Sequence, residues 1–120
     1  MVLVDLPRCC PRSPIEIEAV ACTGTVVTVA VRGEIDMDTG NHVEHTLLAA
    51  LDAAPETLVV DLSGVTFLGS VGLRILVECQ LMAEKSGRAL VLGNVRPWVR
   101  QVLEMAGLRE FFDVRATERA

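Results

Sequence analysis

Two apolar runs that do not alternate, "LVV" at residues 58–60 and "ALVLG" at 89–93, bracket one long amphipathic segment, and this order constrains the fold more than any other feature of the 120-residue chain. A strand with one wet face alternates apolar and polar residues. An unbroken apolar run of strand length predicts a strand covered on both faces, as in parallel sheets. The segment between them, "SVGLRILVECQLMAEKSG" at 70–87, places Leu73, Leu76, Val77, Cys79 and Met82 on one broad helical side and ends on Lys85 and Gly87, a good helix stop. Strand, helix, strand predicts parallel neighbours joined by a right-handed crossover.

The remaining segments extend that unit in both directions. "IEIEAVA" (15–21) alternates, "CTG" makes a turn, and "TVVTVAVRG" (25–33) is a second β-branched run, so the pair predicts a hairpin. "EIDMDTGN" then breaks the strand pattern. Asp36, Asp38 and Thr39 are all N-cap residue types, and Val43, Leu47, Ala50, Leu51 and Ala54 follow at helical spacing until Pro55. After the second covered strand, "RPWVRQVLEMAGL" (96–108) predicts a helix with Pro97 in its first turn and a Schellman stop at Gly107 and Leu108. "EFFDVRA" (110–116) supplies a short last strand. The expected class is α/β: one domain over 15–116, a mixed sheet of four or five strands flanked by helices, in the order ββαβαβα(β). Residues 1–14, with three prolines and two arginines, read as a loose arm.

Composition narrows the function. A net charge of −5 argues against a nucleic-acid partner, which calls for a basic patch. No apolar run approaches the ~20 residues of a membrane helix, and the first residues lack a signal-peptide pattern, so a cytoplasmic location is expected, with no membrane partner. The four cysteines, Cys9, Cys10, Cys22 and Cys79, show no CxxC and read as free thiols. No metal or cofactor is expected: His42 and His45 lack a third ligand and read as solvated, and neither a Walker A loop nor GxGxxG is present. Trp98 reads as packing. Asp36 and Asp61 fall at expected carboxyl ends of strands. They either cap the turns that follow or pair to bind a cation or orient a partner. No acid–base constellation for catalysis is identifiable, so an enzyme is not expected.

The corner Gly69-Ser70-Val71-Gly72 lies between the first covered strand and the central helix. Ser70 fits the N-cap position. The same helix terminus would stabilise negative charge, so a phosphate there is the functional alternative.

Three segments together, "VRGEIDMDTG", "LVVDLSGVTFLGSVGLRIL" and "RPWVRQVLEMAGL", resemble in order and spacing the STAS family, the bacterial anti-sigma factor antagonists and their relatives. The family pattern has a strand ending in GELD, then DLSGVxFxDSSGLxxL, then a late helix ending in GL. The likeness spans about residues 15–115. It implies a module that binds a serine-kinase anti-sigma factor and frees a sigma factor, released again when one serine at the start of the central helix is phosphorylated. Carried over position by position, Gly33, Asp61, Ser63 and Gly64 match the structural motif, and Phe67, Gly72 and Leu73 match around the corner. Asp36, Gly69, Ser70, Val71 and Gly72 are the expected partner-binding positions. The usual acceptor position holds Val71, and the acidic residue before it is Gly69. Either Ser70, one residue early and turned by ~100° on a helix, serves as a substitute phosphoacceptor, or the module is not switched by phosphorylation, and the second is the preferred reading. The implied function is an antagonist lacking the usual phosphoacceptor. The alternative is an unswitched scaffold STAS protein of a stressosome-like assembly, which would self-associate.

Overall fold

The computed structural model describes residues 15–54 and 56–115. The expected arm over 1–14 with Cys9 and Cys10, the closing Pro55, and Ala116 at the end of the last strand lie outside these residues. The elements are β1 (Ile15–Thr23), β2 (Val26–Ile35), α1 (Gly40–Ala53), β3 (Thr57–Leu68), α2 (Ser70–Lys85), β4 (Ala89–Gly93), α3 (Pro97–Met105) and β5 (Asp113–Arg115). This is the expected order with its last strand present. One five-stranded sheet runs β1-β2-β3-β4-β5. β1 is antiparallel to β2, and every other neighbouring pair is parallel.

The unbroken apolar runs have the predicted cause. Leu58, Val60 and Leu62 of β3 and Leu90 and Leu92 of β4 join Val43, Leu47 and Leu51 of α1, Ile75, Leu76, Cys79 and Ala83 of α2, and Val99 and Leu103 of α3 in one core. The side chains between them on the strands, Val59 and Val91, point to the opposite face and are only 8% and 3% exposed. Each Leu or Val so buried contributes about 1.5–3 kcal/mol. The stops of α2 and α3 are both Schellman motifs. Gly107 sits at φ +73°, with Leu108 N–H on the Leu103 carbonyl at 2.8 Å. Gly87, also at φ +73°, is followed by Arg88 N–H on the Ala83 carbonyl at 2.8 Å.

Strand ends and one helix cap differ from expectation, and β1 runs on through Cys22 and Thr23, which pair with Val27 and Val26 where a turn is expected. β2 and β3 run on beyond Gly33 and Gly64, to Ile35 and Leu68: Arg32 pairs with Gly64 and Gly33 with Val65, and bulges in β3 on either side let the pairing continue. Gly33 has φ +112°, and the Arg32 side chain lies across Gly64 where a Cβ would sit, 2.5 Å from its Cγ. Arg32 is held there by Glu18 at 2.9 Å and Glu16 at 3.3 Å. α1 starts at Gly40 with Thr39 at its N-cap, the last of the three expected candidates. Ser70 is not an N-cap: Gly69 takes that position in extended conformation, its carbonyl accepting from Leu73 N–H at 3.0 Å, and Ser70 is the first helical residue.

Among the described residues the two cysteines are free, Cys22 exposed and Cys79 buried. Burial, reinforced by the negative charges of Glu44 and Glu78, pushes the Cys79 thiol up to about 12. A thiol needs its thiolate form to react. With Cys9, Cys10 and Cys22 changed to serine, the folded chain is therefore expected to resist iodoacetamide at pH 8. Denaturant should restore one reactive thiol per chain, counted by mass spectrometry.

Candidate functional site

β3 leaves β4 after Asp61 pairs with Gly93, yet stays beside β2 until Leu68 pairs with Ile35. Its last residues therefore carry the corner beyond the rest of the sheet. There the Gly69 N–H donates to the Ile35 carbonyl at 3.3 Å, which ties the corner to the loop between β2 and α1.

That loop is organised by Asp36. Its Oδ1 accepts from the backbone N–H groups of Asp38 at 3.0 Å and Thr39 at 3.1 Å. Thr39, 4% exposed, donates through Oγ1 to the Glu34 carbonyl at 2.8 Å and accepts from Asp36 N–H at 3.0 Å. This closed set of bonds is an Asx-type turn, the capping alternative foreseen for an aspartate here. It leaves Met37 at the loop tip, 79% exposed.

The corner itself depends on missing side chains. A Cβ on Gly72 would lie 2.5 Å from Leu68 Cδ1 and 2.9 Å from Ile35 Cγ2, so only glycine lets α2 start this close to the strand ends. Gly40, at the start of α1, seats Val71: a Cβ there would meet Val71 Cγ1 at 2.9 Å. Val71 is thus half-buried and turned toward α1, packed against the core. Ser70 is exposed and its side chain makes no capping bond. Phe67, 49% exposed, folds over Gly69, whose missing Cβ would sit 3.1 Å from the ring. Phe67 and Ser70 are exposed at the amino end of α2, and Met37 is exposed at the tip of the loop that the Gly69–Ile35 bond ties to it.

Asp61 is placed elsewhere. It pairs with Ala30, six residues short of Asp36 along β2, a separation of roughly 20 Å at strand rise. The two aspartates do not form a cation-binding pair. Asp61 Oδ1 accepts from Ser63 N–H at 2.9 Å, and its Oδ2 accepts from Asn94 Nδ2 at 3.1 Å. Arg96 donates to the Ser63 carbonyl at 3.2 Å. These bonds hold the point where β3 parts from β4, and Asn94 sits there at φ +50°. His42 and His45 are exposed on α1, and Trp98 packs half-buried against the core.

The exposure of Met37 and Phe67 is not legible in the residue pattern. A large apolar residue between two aspartates, and a phenylalanine two residues before a helix start, were the available signals.

Comparison with known proteins agrees with this geometry. A family model described as "Mlab, STAS domain" matches residues 18–114. The chain is similar to the anti-sigma-F factor antagonist RsfB of Mycobacterium tuberculosis H37Rv, 35% identical over 94 residues that cover 77% of this chain and 75% of that protein. It is also similar to the crystal structure of an anti-sigma factor antagonist from Mycobacterium paratuberculosis, with 35% identity, TM-score 0.69, and 85% and 87% of the two chains covered. The anti-sigma factor antagonist SpoIIAA in its unphosphorylated form shares the fold at 21% identity, with TM-score 0.69 and 86% and 90% covered.

Proposed function

The chain belongs to the STAS domain family, and from that premise we propose that it is an anti-sigma factor antagonist that holds a serine-kinase anti-sigma factor at the amino end of α2 and so frees a sigma factor. Its basis is the open amino end of α2, where Phe67 and Ser70 are exposed and Met37 is exposed on the loop that the Gly69–Ile35 bond ties to the corner, so that Phe67 and Met37 are two large apolar side chains left at the surface. Large apolar anchors inside a polar rim are how protein-docking patches are built. Asp36 and Gly69 shape the rim through the turn and the bond to Ile35, and Gly72 lets the helix end approach the sheet. In this role the chain acts by binding in the cytoplasm and catalyses nothing itself.

Phosphorylation does not gate this binding in the usual way. Val71 has no hydroxyl and faces α1. The Ser70 hydroxyl is free of the backbone, so its direction, rather than capping, keeps it from a kinase site shaped for the next residue. Calorimetric titration of the full chain into the kinase-type anti-sigma factors of its organism is expected to give a one-to-one complex with Kd of about 1 μM or tighter. Incubation with that kinase and ATP should leave the chain's mass unchanged. Absence of any complex would defeat the antagonist role, and stoichiometric phosphate on Ser70 would defeat the unswitched one.

A further inference from the structure

Away from the corner, α1 and α2 enclose an open groove of about 610 Å³, lined by Glu44 and Leu48 on one side and by Glu78, Leu81, Met82 and Lys85 on the other. Glu78 is eight residues beyond Ser70, about 12 Å along the helix, so the groove is separate from the corner. Two observations define its chemistry. Leu81 and Met82 are 46% and 44% exposed, on a helix whose other apolar side is core. Glu44 and Glu78, one from each helix, both line the groove. Their mutual hydrogen bond holds Glu44 above the usual carboxylate range and Glu78 below it. Arg74 pairs with Glu78 at 3.2 Å, so the two carboxyl groups share a single guanidinium. Glu84 adds a further carboxylate to the lining and Lys85 one ammonium group, so the lining stays acidic with three carboxyl groups to one lysine.

We propose that this groove is a second docking surface, which takes a basic amphipathic helix of a partner protein with its apolar side on Leu81 and Met82 and a lysine or arginine between Glu44 and Glu78. The charge selects the occupant. A cation there relieves the crowding of two carboxyl groups, whereas an anionic membrane or nucleic acid would add to it. The apolar floor supplies the area that a purely ionic contact lacks, in the helix-in-groove mode. This surface stands whether or not the corner binds an anti-sigma factor.

The test uses the full chain labelled with nitrogen-15 and a synthetic helix of leucine and lysine at helical spacing, beside a twin with glutamate for lysine. The lysine helix is expected to shift amides of residues 44–52 and 78–88, and Glu44→Lys or Leu81→Ser should weaken it by at least about tenfold. The glutamate twin should shift none of them. Shifts centred on residues 67–72, equal response to the twin, or indifference to both substitutions would overturn the proposal. So would larger shifts of the same amides with anionic phosphatidylglycerol vesicles, or their disappearance on simple dilution of the chain, the mark of self-association.

Discussion

Ser70→Asp is expected to lower affinity for the anti-sigma kinase by at least about a hundredfold while leaving the urea unfolding midpoint where it is. The fold has nothing to lose at this position. Ser70 is exposed, is the first residue of α2, and makes no capping bond. An acid at a helix start interacts favourably with the free N–H groups, by about 0.3–1 kcal/mol. In a docked interface the same carboxylate loses its water without a partner, and about 2.7 kcal/mol of that cost is a hundredfold in Kd. Val71→Asp is a poorer probe, because Val71 Cγ1 rests where a Gly40 side chain would stand. A carboxylate there would be pressed between two helix starts and would lower the unfolding midpoint as well as binding. Calorimetry and urea melts on both variants separate the cases. Undiminished binding by folded Ser70→Asp would move the interface away from the corner.

How far the fold and the corner were legible follows from the range of the forces involved. The order of elements is readable because strand and helix periods are local, and the stops at Gly87 and Gly107 depend only on residues within one turn. The length of β3 is not readable, since Gly64 looks like a strand end. Its place in the sheet depends on Arg32, on the neighbouring strand and about a quarter of the chain away, lying over it and on bulges in β3 on either side. The cap at Ser70 was misplaced by one residue because Gly69 and Ser70 both suit a helix start, and only the bond from Leu73 N–H to Gly69 decides between them. The motif likeness located Asp36 and the corner, yet nothing local says that Met37 and Phe67 stay outside. The groove between α1 and α2 depends on the rotation of two helices about their axes, so Met82 read as part of the apolar core side although it is 44% exposed, and Leu81 was assigned to no face.

Gly72→Val is expected to destabilise the chain by about 3 kcal/mol or more, a large share of the roughly 5–15 kcal/mol that holds a domain together. Two opposed terms decide the sign. Leaving glycine in a helix favours folding by a few tenths of a kcal/mol up to about 1 kcal/mol. Against that, the first added carbon would already lie 2.5 Å from Leu68 Cδ1, 2.9 Å from Ile35 Cγ2 and 3.3 Å from Ile35 Cβ. Leu68 and Ile35 are 6% and 1% exposed, and Ile35 is β-branched in a strand, so neither has room to turn away. Overpacking of this kind costs about 1–3 kcal/mol for small additions, and valine adds two further methyl groups. Gly87→Ala is the contrasting case. Nothing lies within 4 Å of its added carbon, so its cost is confined to the left-handed backbone at φ +73°. The clash has a signature of its own in a double-mutant cycle. Leu68→Ala alone removes core contacts at a cost of about 2–5 kcal/mol, but beside Gly72→Val it also makes the space that valine needs. The pair should therefore cost clearly less than the two separate losses added together, as read from urea melts. Simple additivity would mean that the start of α2 adjusts to a side chain at position 72, and that the close approach at the corner is not set by this glycine.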